Sequence, residues 1–255
     1  MKNDIYKALG IYKVKLKNNI YTVFVDAAMG NIIEIKENYN EKIIADFINS
    51  LDDKNSIEYI IMGFHFPSVQ AINEIIPNTT IVIDKYYVIE EILDDMQDKI
   101  NTICKDIKQY EGVTITKGYK SLMFKLVDDL SPREYDKLGK LCGKYPYFIK
   151  VYEYKEAFVS IYSNATNYQE ALNYFLELLH DWDTMVDAGF EVFVNHVLNW
   201  EKMVFGYFDC PYKNIDVERL NCVIKELDQD GRGYSFETLR DKVVLKNIDL
   251  KKTEN

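Results

Sequence analysis

Ala8–Leu16 (ALGIYKVKL) reads as a strand, with β-branched and aromatic residues along it and Lys13 and Lys15 alternating with apolar neighbours in its second half. Ile20–Asp26 and Ile32–Lys36 read as two further strands, and Lys17-Asn18-Asn19 and Met29-Gly30-Asn31 are the turn clusters between them. This predicts a three-stranded antiparallel meander closed by short hairpins. Apolar residues then fall at helical spacing from Glu41 to Leu51. Ile57–Met62 follows as a short apolar run, Ser68–Ile76 as a short helix behind Pro67, and Thr79–Asp84 as a second apolar run. Strands alternating with helices imply parallel pairing with crossovers on the faces. The order strand, strand, strand, helix, strand, helix, strand predicts a ribonuclease H-like α/β sheet.

From Val88 the period is helical for more than a hundred residues. Ile89, Ile92, Leu93, Met96 and Ile100 mark one amphipathic face, and Tyr135, Leu138, Leu141 and Cys142 a second, opened by Ser131 as cap and Pro132 in the first turn. A stripe containing Trp200 runs from Phe190 to Phe208, and core packing accounts for it. A last pair of helices is expected over Val217–Leu227 and from Ser235, separated by a structural turn at Gly231-Arg232-Gly233-Tyr234; Lys251–Asn255 is expected to fray. The domain reading is therefore a core over residues 1–89, an all-helical insertion over 90–210, and helices over 211–250 that return to the core.

Composition narrows the function classes. With 47% apolar and 28% charged residues, the 255-residue chain can build a sizeable core. No apolar run is long enough to span a bilayer and no signal peptide is expected, so the expected setting is cytoplasmic with no membrane partner. Cys104, Cys142, Cys210 and Cys222 are widely spaced, which predicts free thiols rather than zinc ligands. The net charge of −10 disfavours a broad grip on a polyanion. Twenty tyrosines without interleaved Arg and Lys are read as packing rather than base stacking.

Five segments, in order, carry a resemblance: Tyr21–Ile35 (YTVFVDAAMGNIIEI), Ile57–Ile89, Lys144–Phe158, Val197–Val204 and Ile215–Leu245. Together they resemble the catalytic domain of DDE insertion-sequence transposases of the ISL-three group. The resemblance implies an RNase H-like mixed sheet interrupted by a long helical insertion. It also implies three carboxylates converging on two Mg²⁺ or Mn²⁺ ions that activate water or a 3′-hydroxyl. Where the family has a G-I-D-E-like stretch, this chain has Gly10-Ile11-Tyr12-Lys13. Where the family has an M-D-like pair it has Met62-Gly63, and the glutamate of a V-E-G-L-N-like helix is matched by Glu218. Two of three acidic positions are thus occupied by Tyr12 and Gly63, and Glu218 is either the remnant or an exposed helical glutamate. The basic stretch that follows the third acid in the family is here Glu226-Leu227-Asp228-Gln229-Asp230. With strand one starting near residue 8, no counterpart of the family's zinc-binding and helix-turn-helix regions is expected.

The expectation is a degenerate, transposase-derived protein. It has no intact catalytic residue and no cofactor, little or no affinity for nucleic acid, and acts, if at all, by binding a protein. Two alternatives stay open. One is an inert product of a decaying mobile element. The other is an active transposase whose Mg²⁺ or Mn²⁺ site is rebuilt from Asp26, Asp84 and His65 with Glu218; otherwise Asp26 and Asp84 are strand-end turn formers and His65 is a half-buried polar side chain.

Overall fold

A computed structural model describes residues 5–180, 190–231, 234–246 and 250–251. Arg232 and Gly233 of the expected glycine turn, and residues 252–255 of the expected frayed end, lie outside these. The chain divides into two compact units, residues 1–86 with 202–255, and residues 87–201.

In the first unit, strands β1 (Ala8–Leu16), β2 (Asn19–Asp26) and β3 (Asn31–Glu37) form an antiparallel meander, and β4 (Tyr59–Met62) and β5 (Thr80–Ile83) pair in parallel with it. The order β3-β2-β1-β4-β5 places β1 at the centre. This is a mixed α/β sheet of the RNase H-like kind. Each hairpin closes through one residue in the left-handed region, Lys17 at φ 53° and Gly30 at φ 82°, the latter a conformation glycine adopts at no steric cost. A register shift between Phe24 and Val25 bulges β2 against β3.

Pleating sends alternate residues of β1 to opposite faces. Ile11 shares a face with its partner Phe24, whose ring stacks on Phe47 of α1 (Glu41–Asn49) at 3.7 Å. Helix α2 (Phe66–Ile75) packs beside α1. Gly10, Tyr12 and Val14 point to the other face, together with Val23 and Tyr21. That face receives two helices from the C-terminal segment, α10 (Val217–Asp230) and α11 (Phe236–Leu245). Helix α10 buries Val217, Leu220 and Ile224 and packs on β1. Helix α11 sits on β3, with Phe236 stacked on Tyr21 at 5.7 Å and Arg240 holding both carboxylate oxygens of Glu34 at 2.6 and 2.5 Å. Capping fits the sequence: Asp216 accepts from the Arg219 N–H and Ser235 from the Thr238 N–H.

The second unit is helical. It contains most of α3 (Lys85–Glu111), the short α4 (Lys117–Lys120), and α5 (Pro132–Lys144), α6 (Pro146–Asn164), α7 (Tyr168–Leu179) and α8 (Glu191–Asn199). Its core is aromatic. Phe158 meets Phe175 and Phe193 edge-on at 5.9 and 4.8 Å, and Tyr154 stacks on Phe190 at 4.5 Å. The expected cap at Ser131 forms, and Glu134 completes it as a capping box. The stripe from Phe190 to Phe208 is broken at Trp200, where α8 ends and α9 (Glu201–Gly206) begins. Residues 202–210, expected within the insertion, group with the sheet unit. Val204 and Phe205 are buried, and Gly206 packs close to Val82 of β5. No helix of the described residues is long and apolar enough to cross a membrane. Cys104, Cys142 and Cys210 are buried free thiols and Cys222 an exposed one.

Candidate functional site

The strand register decides which of the singled-out residues meet. Ile11 pairs with Met62 and Met62 with Ile83. The next residues along these three parallel strands are Tyr12, Gly63 and Asp84, which form a row from the central strand to the β5 edge of the sheet. The Asp84 N–H donates to Met62 O at 2.9 Å and fixes the end of that row. Tyr12 is fully buried and Asp84 is 2% exposed. The Tyr12 hydroxyl donates to Asp84 Oδ2 at 3.3 Å, while Asp84 Oδ1 accepts from the Tyr86 N–H at 2.9 Å, in the first turn of α3. Gly63 stands between them in strand order and contributes no side chain. A long side chain on β1 thus reaches a short one beyond β5 across a residue that has none.

The tyrosine ring is accommodated by a second glycine. A Cβ added at Gly10 would come within 2.5 Å of Cε2 and 3.2 Å of the hydroxyl of Tyr12. The ring therefore lies over the Gly10 backbone, the close approach for which a glycine inside a strand is suited.

Glu218 is exposed in the first turn of α10, where an acid suits the positive end of the helix dipole. The helix turns Val217, Leu220 and Ile224, not Glu218, into the core. Of the acidic segment 226–230, Asp228 pairs with Lys17 at 2.8 Å.

The residues of the rebuilt-site alternative are not assembled around one point. Asp26 ends β2 opposite Leu9, whereas Asp84 lies past the end of β5, three strands away. Strand spacing alone separates them by about 14 Å. Asp26 acts as a turn former, with Oδ1 accepting from the Ala28 and Met29 N–H groups, each at 3.0 Å. His65 is the residue before α2. Its Nδ1 is 2.5 Å from Ser68 Oγ and its ring meets the edge of Tyr39. Burial pulls the His65 pKa below the usual imidazole value, with Lys13 adding to the effect and Glu41 opposing it.

The donor set along the row does not suit a pair of divalent ions. A phenol is neutral, a glycine offers nothing, and Asp84 already receives the tyrosine hydroxyl and a backbone N–H. Among the described residues, no three of His, Cys, Asp and Glu are grouped so as to hold a metal ion. Sequence reasoning missed the pairing of Tyr12 with Asp84 and the part played by Gly10. The one available signal was the glycine two positions before a bulky ring on the same face of a strand.

No curated protein matches the chain. A sequence model of the family described as Transposase, the ISL-three group of DDE transposases, matches residues 9–243. The match begins in β1, includes the helical unit and ends in α11. The chain belongs to this transposase family.

Proposed function

We propose that this chain is a transposase-family protein that has lost DNA strand transfer and acts by binding, with a protein rather than DNA as its partner. The observation that carries the reading is the row Tyr12–Gly63–Asp84. Two positions that hold metal-binding acids in the family pattern are a buried phenol and a glycine, and the phenol is tied to the nearest carboxylate. Two Mg²⁺ ions would have to exchange strongly held water for an exposed Glu218 and an Asp84 already engaged by the Tyr12 hydroxyl and the Tyr86 N–H, which is an unfavourable exchange. The charge of −10 supports the second half, because a field of that sign opposes a polyanion.

The test pairs calorimetry with DNA assays. Titration with millimolar Mn²⁺ should give no heat attributable to a tight site, and supercoiled plasmid should stay unnicked. Gel shifts with random duplex should give affinity weaker than the usual non-specific range of about 10⁻⁴ to 10⁻⁶ M at physiological salt. Two bound Mn²⁺ ions with plasmid nicking would overturn the catalytic half. Micromolar DNA binding with a steep salt slope would overturn the binding half.

A further inference from the structure

The helical unit carries most of the acidity of the chain. Residues 87–201 hold twelve lysines and arginines against twenty acids, a net −8 of the total −10. One of its faces is also apolar and open. Two adjoining cavities of about 360 and 450 Å³ share Val127 and Glu156 and follow α6 from Ile149 to Asn164. That stretch is about 22 Å long at helical rise. The first cavity is closed on its other side by Tyr135 and Leu138 of α5. Val127, Tyr135 and Ile149 are 42%, 60% and 41% exposed, so three large apolar side chains face solvent in this lining.

The floor of this groove is held rigidly. Lys155 is fully buried, and its Nζ donates to Lys125 O at 2.5 Å and to Met123 O at 3.3 Å. The Tyr152 hydroxyl donates to the same Lys125 carbonyl at 3.0 Å, and the Val127 N–H donates to Glu156 Oε2 at 3.3 Å. The segment Lys125–Val127, whose Val127 lines both cavities, is therefore tied to α6 at Lys125 and Val127. Its rim is anionic, with Asp128 and Glu153 exposed beside the apolar patch.

We infer that this groove docks a basic amphipathic helix of about four turns, its apolar face on Val127, Tyr135 and Ile149 and its lysines or arginines against Asp128 and Glu153. Length and apolar lining fit the helix-in-groove mode of recognition, and charge complementarity selects the partner. A second copy of the chain, which carries the same −10, is a poor occupant on the same ground. The inference deepens the binding reading above and rests on it. Metal and plasmid assays bear on the site row alone, and the experiment below bears on the groove alone.

The probe is a fluorescein-labelled 16-residue peptide with leucines on one helical face and lysines on the other, titrated by anisotropy into the full chain. The blocking variant is Gly139→Leu. Gly139 lies on α5 in the lining of the groove, a Cβ added there meets nothing within 4 Å, and leucine favours helix more than glycine does, so the fold should survive. Saturable micromolar binding is expected, at least tenfold weaker with Gly139→Leu and at least tenfold weaker with Asp128→Lys combined with Glu153→Lys. Circular dichroism checks that each variant is folded. Equal binding by a peptide with glutamates in place of the lysines would overturn the inference, as would binding that Gly139→Leu leaves unchanged. A dimer in sedimentation that Gly139→Leu dissociates would also overturn it, because a second copy would then be the occupant.

Discussion

The ring of Tyr12 lies over the backbone of Gly10, two residues earlier on β1, so closely that a methyl group at Gly10 would meet Cε2 at 2.5 Å. Neither residue can be understood without the other. A larger residue at 10 would push the ring off its seat, and the ring occupies space that an aspartate at 12 would leave open.

The first prediction follows directly. Gly10→Ala should destabilise the chain by about 1–3 kcal/mol, the usual cost of forcing extra volume into a packed core. The cost should fall when the ring is removed, so that Gly10→Ala and Tyr12→Val are less than additive in a double-mutant cycle read by urea denaturation. Strict additivity would mean that the ring and the glycine are not in contact.

The second concerns the hydrogen bond itself. Tyr12→Phe keeps the ring and removes the donor that Asp84 Oδ2 receives at 3.3 Å. Deleting a donor to a buried carboxylate costs about 1–3 kcal/mol. The loss should appear as a lower urea midpoint with an unchanged slope, since the compactness of the native state is not altered. A midpoint equal to that of the parent would show that Asp84 does not depend on the hydroxyl.

These two residues also show how far the sequence could be read. The alternation in Ala8–Leu16 and the two turn clusters were sufficient for the meander, because strand period and hairpin chemistry are local. The cap at Ser131 was legible for the same reason. The bulge at Phe24/Val25 was not, since a register shift depends on both strands at once. Motif spacing singled out Tyr12 and Gly63, but the partner of Tyr12 is 72 residues away, and only the parallel register of β1, β4 and β5 brings it alongside. The break at Trp200 was hidden because the apolar stripe continues through it while the backbone does not. The exposure of Glu218 likewise depends on which face of α10 meets β1, and Val217, Leu220 and Ile224 compete for that face with more apolar surface.

The third prediction concerns pH. Burial works to raise the pKa of Glu34, but hydrogen bonds from Arg240 and the Ile35 N–H, with the charges of Lys36 and Arg240, bring it below the ordinary glutamate value. A carboxylate with a depressed folded pKa adds stability that is present above its unfolded pKa and lost as pH falls through the folded one. The stability difference between the parent and Glu34→Gln should therefore be flat from pH 7 to about 5 and shrink below about pH 4. At neutral pH it should be about 1–2 kcal/mol, reduced from a fully buried pair because Arg240 is partly exposed to water. A difference that grows on acidification would show that Glu34 is held by burial rather than by α11.

The fourth prediction asks for restoration. If the row across β1, β4 and β5 is a former metal site, Tyr12→Asp with Gly63→Asp should bring two carboxylates beside Asp84. Both changes are needed, because either change alone leaves the site one anion short. Backbone geometry permits the second substitution, since the positive-φ glycines among the described residues are Gly30 and Gly112. Removing the buried ring carries a cost of about 3–5 kcal/mol by analogy with aromatic truncations, and Mn²⁺ bound to the native state should recover part of it. The measurements are the melting temperature of the double variant with and without Mn²⁺, and calorimetric titration of the metal. A rise in melting temperature with Mn²⁺ that neither single variant shows is the expected result. Nicking of plasmid is not required, because the exposed Glu226 and Asp230 would still oppose a polyanion. A folded double variant indifferent to Mn²⁺ would mean that Tyr12 and Gly63 do not mark the two missing ligands, and the argument for a lost catalytic centre would fail with it.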